Sequence, residues 1–171
     1  MQRIGVIADT HGLLRAEVLA FLRGSSRIIH AGDIGEPGVL DELAALAPVT
    51  AVRGNNDAGK WAQRLRERET IRVGGVTIHV IHDLGQLKLD AKRSSAQVVV
   101  SGHSHKPAIT QRADTLFLNP GSAGPRRFKL PVSIGELIVR DDGSVAARIQ
   151  ELSVTPARRP RARSGRPRWR G

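Results

Sequence analysis

The sequence predicts an α/β protein in which two mixed β-sheets pack face to face, flanked by helices. Two features of the residue pattern lead to this fold class. The first third alternates short β-branched and aliphatic runs with stretches that carry apolar residues at helical spacing, and the remainder consists mostly of paired runs joined by turn residues. The chain has 171 residues, of which 40% are hydrophobic but only 3% aromatic. A single core built mainly from Val, Ile, Leu and Ala is therefore expected.

Three apolar runs near the amino terminus predict buried strands, at Arg3 to Ala8, Arg27 to Ala31 and Val49 to Arg53. The intervening segments, Leu14 to Arg23 and Glu36 to Ala47, have the apolar spacing of amphipathic helices. Strands linked through a helix run parallel, and such crossovers are right-handed in almost all proteins. The first third is therefore predicted to be a βαβαβ unit.

The second part of the chain has the pattern of hairpins. Glu69 to Val73 and Val76 to His82 flank Gly74-Gly75, a pair that accepts the positive φ angles of a tight turn. A helix is expected near Gly85 to Ser94, followed by a strand at Gln97 to Ser101. Two further hairpins are predicted, pairing Ala108 to Gln111 with Leu116 to Leu118 and Ser133 to Arg140 with Ser144 to Leu152. These hairpins add antiparallel pairs, which makes the sheets mixed.

The positive charge is concentrated at the carboxyl terminus. Residues 155–171 contain seven arginines and no acidic residue, so subtracting these seven from the net charge of +11 leaves +4 for the rest. The segment is rich in Pro and Gly and has no apolar period. We therefore predict a domain at 1–154 and a flexible tail at 155–171. The tail would bind polyanions weakly, or serve only as a solubilising extension.

Composition and segment lengths exclude several classes of protein. The chain has no cysteine, so thiolate metal sites and cysteine nucleophiles are excluded, and any metal must use nitrogen and oxygen ligands. Residues Met1 to Arg3 and the short apolar run after them lack the features of a secretory signal. No apolar stretch approaches the roughly 20 residues that cross a bilayer. A cytoplasmic location without membrane association is expected, and a homo-oligomer is compatible with the sequence.

Polar residues interrupt the apolar pattern where five predicted strands end. In an α/β fold, ligands gather beyond the carboxyl ends of the strands. Carboxylates, amides and imidazoles are ligands for divalent metals, and neighbouring glycines let the backbone come close. Each piece alone is more often a turn or a helix cap, but the five together favour a metal site. The interruptions are Asp9-Thr10-His11-Gly12, Gly32-Asp33, Gly54-Asn55-Asn56-Asp57, His82 and Gly102-His103-Ser104-His105.

Taken in order, these motifs resemble the signature of the calcineurin-like metallophosphoesterase superfamily, and most of all its small YfcE-like phosphodiesterase branch. The segments His30 to Ile34 and Asn119 to Ser122 also resemble that branch, and the resemblance spans roughly residues 1 to 150. It implies a two-sheet sandwich flanked by helices, in agreement with the pattern above. It also implies a hydrolase that acts on small phosphodiesters.

The resemblance further implies a ligand set for two divalent ions. Asp33 would bridge the ions, and Asp33, Asn55 and His103 are assigned to catalysis. The two ions would activate a shared hydroxide for in-line attack on phosphorus. Manganese is expected, with Ni, Zn, Fe and Co as alternatives. The implied ligands are Asp9, His11, Asp33 and His105 for metal 1, and Asp33, Asn55, His82 and His103 for metal 2.

The sequence departs from the family pattern at two positions. Asn56 stands where many relatives have a histidine that can protonate the leaving group, and Asp83 stands where glycine is usual. We expect both to support a metal ligand or to contact phosphate, with weaker phosphate binding as the alternative effect of Asp83. Arg53 and Asp57 flank the asparagine ligand, and we expect them either to orient it or contact phosphate, or to form a structural ion pair. Two other histidines, His30 and His79, are predicted to be packed or hydrogen-bonded rather than metal ligands.

Two other functions remain open from sequence. The superfamily includes a phosphoesterase-like subunit of a membrane-trafficking coat that acts as an interaction module, so the fold alone does not decide function. A scaffold is free to lose imidazoles, whereas this chain keeps all seven expected ligands. The arginine-rich tail also allows a nuclease, although Trp169 is the only aromatic residue among its cations.

Overall fold

Ten strands form two five-stranded sheets in the computed structural model, which describes residues 1–87, 96–127 and 129–153. In spatial order the first sheet contains β10 (Val145–Glu151), β9 (Ser133–Val139), β1 (Gln2–Ile7), β2 (Arg27–His30) and β3 (Val49–Ala51). The second contains β4 (Arg68–Val73), β5 (Val76–Ile81), β6 (Val98–Val100), β8 (Thr115–Asn119) and β7 (Ala108–Arg112). The predicted fold class, two packed mixed sheets with flanking helices, is confirmed.

The first sheet combines the predicted parallel unit with a distant hairpin. β1, β2 and β3 are parallel, with Ile4 opposite Arg27 in the first pair. The connections are α1 (Ala16–Leu22) and α2 (Pro37–Ala44), each shorter than predicted. In α2, proline occupies the first turn, where its missing N–H costs no helical hydrogen bond. β9 pairs antiparallel with both β1 and β10 and so completes the sheet.

The second sheet contains two of the predicted hairpins. β4 and β5 are antiparallel and meet at Gly74 and Gly75, whose φ angles are +54° and +83°. These angles match the expected tight turn. β7 and β8 form the other hairpin, and β6 lies between β5 and β8 and is parallel to both.

The main core lies between the two sheets. It consists of aliphatic side chains, and burying each stabilises the fold by about 1.5–3 kcal/mol relative to exposing it. On the other face of the first sheet, Val18 and Leu22 of α1 pack in a second cluster. Gly5 permits this close approach, because a Cβ there would lie 2.3 Å from Leu22 Cδ2. The buried residues between the sheets include Ile4, Val6, Ile29, Ile78, Val80, Val98, Val100, Leu118 and Leu137.

Two sequence predictions fall largely outside the described residues. Of the helix expected near Gly85 to Ser94, the structure describes a 3-10 turn at Leu84–Gln86, and residues 88–95 lie outside the described ranges. The tail at 155–171 and the domain boundary at Val154 also lie outside them, so both stay predictions. Among the described residues, no helix combines the length and hydropathy needed to cross a bilayer.

Candidate metal centre

The loops that follow β1 and β2 lie side by side at the carboxyl end of the first sheet. Their backbones extend the ladder beyond the strands, with Asp9 N donating to Gly32 O at 3.0 Å and His11 N donating to Asp33 O at 2.9 Å. The loop after β6 joins the same region, because His103 N donates to Asp9 Oδ2 at 3.1 Å. Backbone pairing therefore sets where the candidate side chains stand, as expected at the strand ends of an α/β sheet.

The backbone of this region has an unusual conformation. Six non-glycine residues have positive φ in the described part of the chain, and five of them are predicted ligands. Such conformations cost about 1–3 kcal/mol each and persist only where surrounding contacts enforce them. Their concentration here indicates that the fold holds these side chains in place for a purpose other than stability. The five are Asp9, His11, Asp33, His103 and His105.

Asp9, His11 and His105 form a first group of side chains that could hold a metal ion. His105 Nε2 lies 3.4 Å from Asp9 Oδ1 and 3.4 Å from His11 Nε2. Asp9 Oδ1 is buried and has no hydrogen-bond partner among the described residues. A buried carboxylate oxygen without a partner is costly, and a cation between it and the two imidazoles would satisfy it.

Asn55, His82 and His103 form a second group. Asn55 Oδ1 lies 3.1 Å from His82 Nε2 and 2.9 Å from His103 Nδ1. His82 Nδ1 donates to the Ala31 carbonyl at 2.7 Å, which fixes the ring so that Nε2 faces the centre. Metal-binding histidines are commonly oriented by such a hydrogen bond from the other ring nitrogen.

Asp33 lies between the two groups. Its Oδ2 is 3.8 Å from His11 Nε2, and its Oδ1 is 3.4 Å from His82 Nε2. Asp9, Asp33 and His82 also offer ligand atoms within 4.8 Å of one another. The structure thus brings all seven predicted ligands together, and Asp33 stands between the two groups.

The charges of this site favour a cation. Burial raises the pKa of Asp9 to about 7, against the attraction of His82, and the charge of Asp33 adds to the rise. Burial would also raise the pKa of Asp33, but hydrogen bonds from His82 and Asn56 outweigh it and hold that pKa below its usual range. The same contacts with Asp33 raise the pKa of His82 although burial lowers it. Protons on Asp9 and His82 therefore compete with any metal ion for the site.

Two imidazoles are kept neutral, as metal ligands must be. Burial lowers the pKa of His11, and burial together with the charge of Arg127 lowers the pKa of His105 to about 4. Neutral imidazole offers a lone pair to a metal without first losing a proton. The donor set therefore fits a divalent metal.

Asn56 hydrogen-bonds a predicted ligand. Of the four residues next to the ligands that the sequence singles out, the side chains of the other three do not: Arg53, Asp57 and Asp83. The backbone N of Asn56 donates to Asp33 Oδ1 at 2.9 Å and its Nδ2 donates to Asp33 Oδ2 at 2.6 Å. Asn56 thus holds the carboxylate that lies between the two groups. Gly54 makes this approach possible, because a Cβ there would lie 2.1 Å from Asp33 N.

The other three neighbours have structural contacts. Asp57 accepts hydrogen bonds from the backbone N of Gly54 at 2.8 Å and of Gly35 at 2.9 Å. Arg53 pairs with Glu67 rather than with Asp57, so the alternative of an Arg53–Asp57 ion pair is not what the structure shows. Asp83 accepts from Gly85 N at 2.8 Å and caps the 3-10 turn.

His30 and His79 take the packed and hydrogen-bonded roles predicted for them. His30 is fully buried, its pKa is lowered by burial to about 3, and its Nε2 lies 2.8 Å from Thr10 Oγ1. Gly32 N donates to His30 Nδ1 at 3.2 Å, so the neutral ring connects the loops that carry Asp9 and Asp33. His79 instead contacts Thr70 Oγ1 on the neighbouring strand.

We expect His30→Ala to destabilise the protein strongly, because it leaves the buried N–H of Gly32 without an acceptor and a cavity where the buried ring stood. The Thr10 hydroxyl would lose its contact with His30 but keep its hydrogen bond to Ile34 O at 2.9 Å. One unsatisfied buried group costs about 1–3 kcal/mol and the cavity adds to this cost, so a loss of about 2–4 kcal/mol is expected. For a domain of this size the loss should lower the Tm by roughly 5–15 °C. Differential scanning calorimetry measures it, with His79→Ala as the matched control. Equal Tm values for the two variants would contradict the role assigned to His30.

One residue near the site, Arg127, is not predicted from the sequence. Arg127 Nη2 lies 3.4 Å from His11 Nε2, although the two residues are 116 positions apart. The nearest sequence signal is the preceding segment, Asn119 to Ser122, which resembles the YfcE-like branch. Both of its end residues contact loops of the site: Ser122 Oγ donates to Asp9 O at 2.9 Å and Asn119 Nδ2 donates to Gly102 O at 2.7 Å.

Comparison with known proteins gives a consistent result. Residues 2–142 match the calcineurin-like phosphoesterase superfamily domain. A probable metallophosphoesterase of Methanothermobacter thermautotrophicus is 38% identical over 151 residues, which cover 82% of this chain and 86% of that protein. A phosphodiesterase of Methanocaldococcus jannaschii is 27% identical over 137 residues, covering 70% of this chain and 82% of the relative.

Solved structures show the same fold. The phosphoesterase YfcE from Escherichia coli superposes with a TM-score of 0.66 at 26% identity, covering 85% of this chain and 98% of YfcE. Vps29 from Entamoeba histolytica, crystallised with zinc, superposes with a TM-score of 0.67 at 24% identity, covering 87% of this chain and 98% of Vps29. The likeness to Vps29 supports the fold alone.

Proposed function

The chain belongs to the calcineurin-like phosphoesterase superfamily, and from this premise we propose that it is a phosphodiesterase dependent on two divalent metal ions. The observation that carries the proposal is the position of Asp33 between two groups of nitrogen and oxygen ligands. The phosphodiesterase among its relatives supports a diester as the substrate class. Two ions held here would activate a water molecule for in-line attack on phosphorus and neutralise the phosphate oxygens.

The side chains of the protein would bind and orient the ions rather than react themselves. Asp9, His11 and His105 would hold metal 1, Asn55, His82 and His103 would hold metal 2, and Asp33 would contact both. Asn56 fixes the orientation of Asp33 through its two hydrogen bonds. Two carboxylates facing two dications leave excess positive charge, which favours an anionic phosphoester.

Asn56 also limits the chemistry that we propose. An amide cannot protonate a departing alkoxide, so the leaving group must take its proton from water or depart as a stable anion. We therefore propose that diesters with acidic leaving groups, such as nitrophenolate, react fastest. Manganese is the metal that we propose, and Ni, Zn, Fe and Co fit the same nitrogen and oxygen donors.

An interaction scaffold is the competing function. A scaffold has no need of strained backbone at imidazole and carboxylate positions, yet five predicted ligands have positive φ. The retention of all seven ligands and their convergence support a hydrolase. The experiment that separates the two is an assay of bis(p-nitrophenyl) phosphate hydrolysis by the metal-loaded protein, in which a scaffold would show no turnover.

We also propose that the tail at 155–171 binds polyanions without taking part in small-diester hydrolysis. Its seven arginines can contact several phosphates, and such contacts weaken steeply as salt rises. Deleting residues 156–171 should leave the kcat and KM for bis(p-nitrophenyl) phosphate within about twofold, because every predicted ligand precedes residue 106. In fluorescence anisotropy at low salt, the truncated protein should bind an oligonucleotide more weakly than the full-length protein does. Loss of diester turnover on truncation would mean that the domain boundary is wrong.

A further inference from the structure

The guanidinium group of Arg127 reaches the edge of the candidate metal centre. Its Nη2 lies 3.4 Å from His11 Nε2, the ring nitrogen that also faces His105. Among the described residues no salt bridge gives Arg127 a carboxylate partner.

Hydrogen bonds join the loop that carries Arg127 to the segment that carries Asp9 and His11. Ala123 N donates to Ala8 O at 3.0 Å, and Arg15 Nη2 donates to Gly124 O at 3.2 Å. Gly124 lies against the backbone of the Asp9 loop, so close that a Cβ at this position would be 2.3 Å from Thr10 O. These backbone contacts of Ala123 and Gly124 therefore hold the start of the Arg127 loop against the site.

A cation in this place is useful only when an anion is present. Arg127 shares the lone pair of His11 Nε2 that a metal would need, and two dications nearby would repel the guanidinium. An anion between them turns this repulsion into attraction. The planar guanidinium matches two phosphate oxygens at once, which a lysine ammonium does not.

We infer that Arg127 binds the phosphate group of the substrate on the metal 1 side of the site. The inference rests on the proposed function, since it takes a phosphoester as the ligand. It adds to the metal ligands a residue that contacts the substrate directly. The neighbouring Arg126 makes a hydrogen bond within its own loop, in which its Nε donates to Leu130 O at 3.2 Å. Arg126 is thus a matched control with the same charge in the same loop.

The test is titration calorimetry of inorganic phosphate into the metal-loaded wild type and the variants Arg127→Ala, Arg127→Lys and Arg126→Ala. Arg127→Ala removes a charge-assisted hydrogen bond and should therefore raise the Kd for phosphate about 10-fold to 100-fold. Arg127→Lys should be intermediate, and Arg126→Ala should change the Kd less than about threefold. Metal binding in the absence of phosphate should be unchanged or tighter in Arg127→Ala, because a nearby cation has been removed.

Two results would overturn the inference. Equal weakening by Arg126→Ala and Arg127→Ala would show that general surface charge is responsible, and weaker metal binding in Arg127→Ala would show that the residue supports the loop instead. Phosphate binding is measured without turnover, so failure of this inference and failure of the proposed function give different results. If the wild-type protein hydrolyses no diester but Arg127→Ala still weakens phosphate binding, the proposed function is refuted and Arg127 keeps only a phosphate-binding role.

Discussion

Removing divalent metal should reduce the hydrolysis of bis(p-nitrophenyl) phosphate to the background rate. The proposed nucleophile is water activated by the metal ions, and the chain has no cysteine that could take its place. The reaction would therefore depend on chemistry that the ions supply. The measurement is nitrophenolate release before and after dialysis against a chelator, and again after addition of Mn²⁺.

Circular dichroism of the chelated sample is the control for this prediction. The buried core lies between the two sheets and contains none of the predicted ligands, so the spectrum should keep its α/β form. Readdition of Mn²⁺ should restore turnover to the folded protein. Robust turnover in a thoroughly demetallated sample would rule out the mechanism.

Asp33→Ala and Asn55→Ala should differ in kind. Asp33 lies between both groups of ligands, whereas the Asn55 side chain hydrogen-bonds only His82 and His103 among the described residues. Metal content should fall from about two ions per chain toward zero in Asp33→Ala and toward one in Asn55→Ala. Turnover should fall at least about 100-fold in Asp33→Ala, since even partners outside the ligand sphere cost about 10–100-fold.

Asp83→Ala is the matched control for metal content. Asp83 is an acidic residue close in sequence to the His82 ligand, but its carboxylate accepts from Gly85 N. It should therefore keep two ions while its 3-10 turn loosens. Inductively coupled plasma mass spectrometry of the desalted proteins gives the counts. Two ions retained in Asp33→Ala would show that the bridge is misassigned.

Much of the fold follows from local pattern. The parallel unit is predictable because strands joined by helices can pair only in a few ways. The helices are shorter than the apolar period suggests, since Arg15 is still extended, with φ −83° and ψ 148°, where the spacing already indicates helix. Periodicity reports which face is buried, but the backbone conformation at a helix end depends on the loop that precedes it.

The order of the strands is not contained in the local pattern. β9 lies next to β1 although their paired residues Gln2 and Val139 stand at opposite ends of the domain. β8 rather than β7 lies beside β6, which places β7 at the edge of the second sheet. Such choices are made by the packing of whole sheets, for which short sequence windows carry no signal.

The candidate site was largely predictable because its residues mark the ends of strands. Asp9, Asp33 and His82 each interrupt an apolar run at the edge where the carboxyl ends of the strands meet. The sequence predicts that Asn56 supports a ligand or contacts phosphate but does not identify Asp33 as its partner, and it does not predict the contact of Arg127 with His11. Both contacts depend on the path of a loop rather than on a spacing along a strand.

A crystal structure of the protein grown with Mn²⁺ and measured at the manganese absorption edge would show whether Asp33 bridges two divalent ions. We expect two anomalous peaks, about 3.5–4 Å apart, with one carboxylate oxygen of Asp33 contacting both or each oxygen contacting one. The first peak should lie among Asp9, His11 and His105. A single peak, or two peaks with Asp33 outside their contacts, would rule out a bridging Asp33.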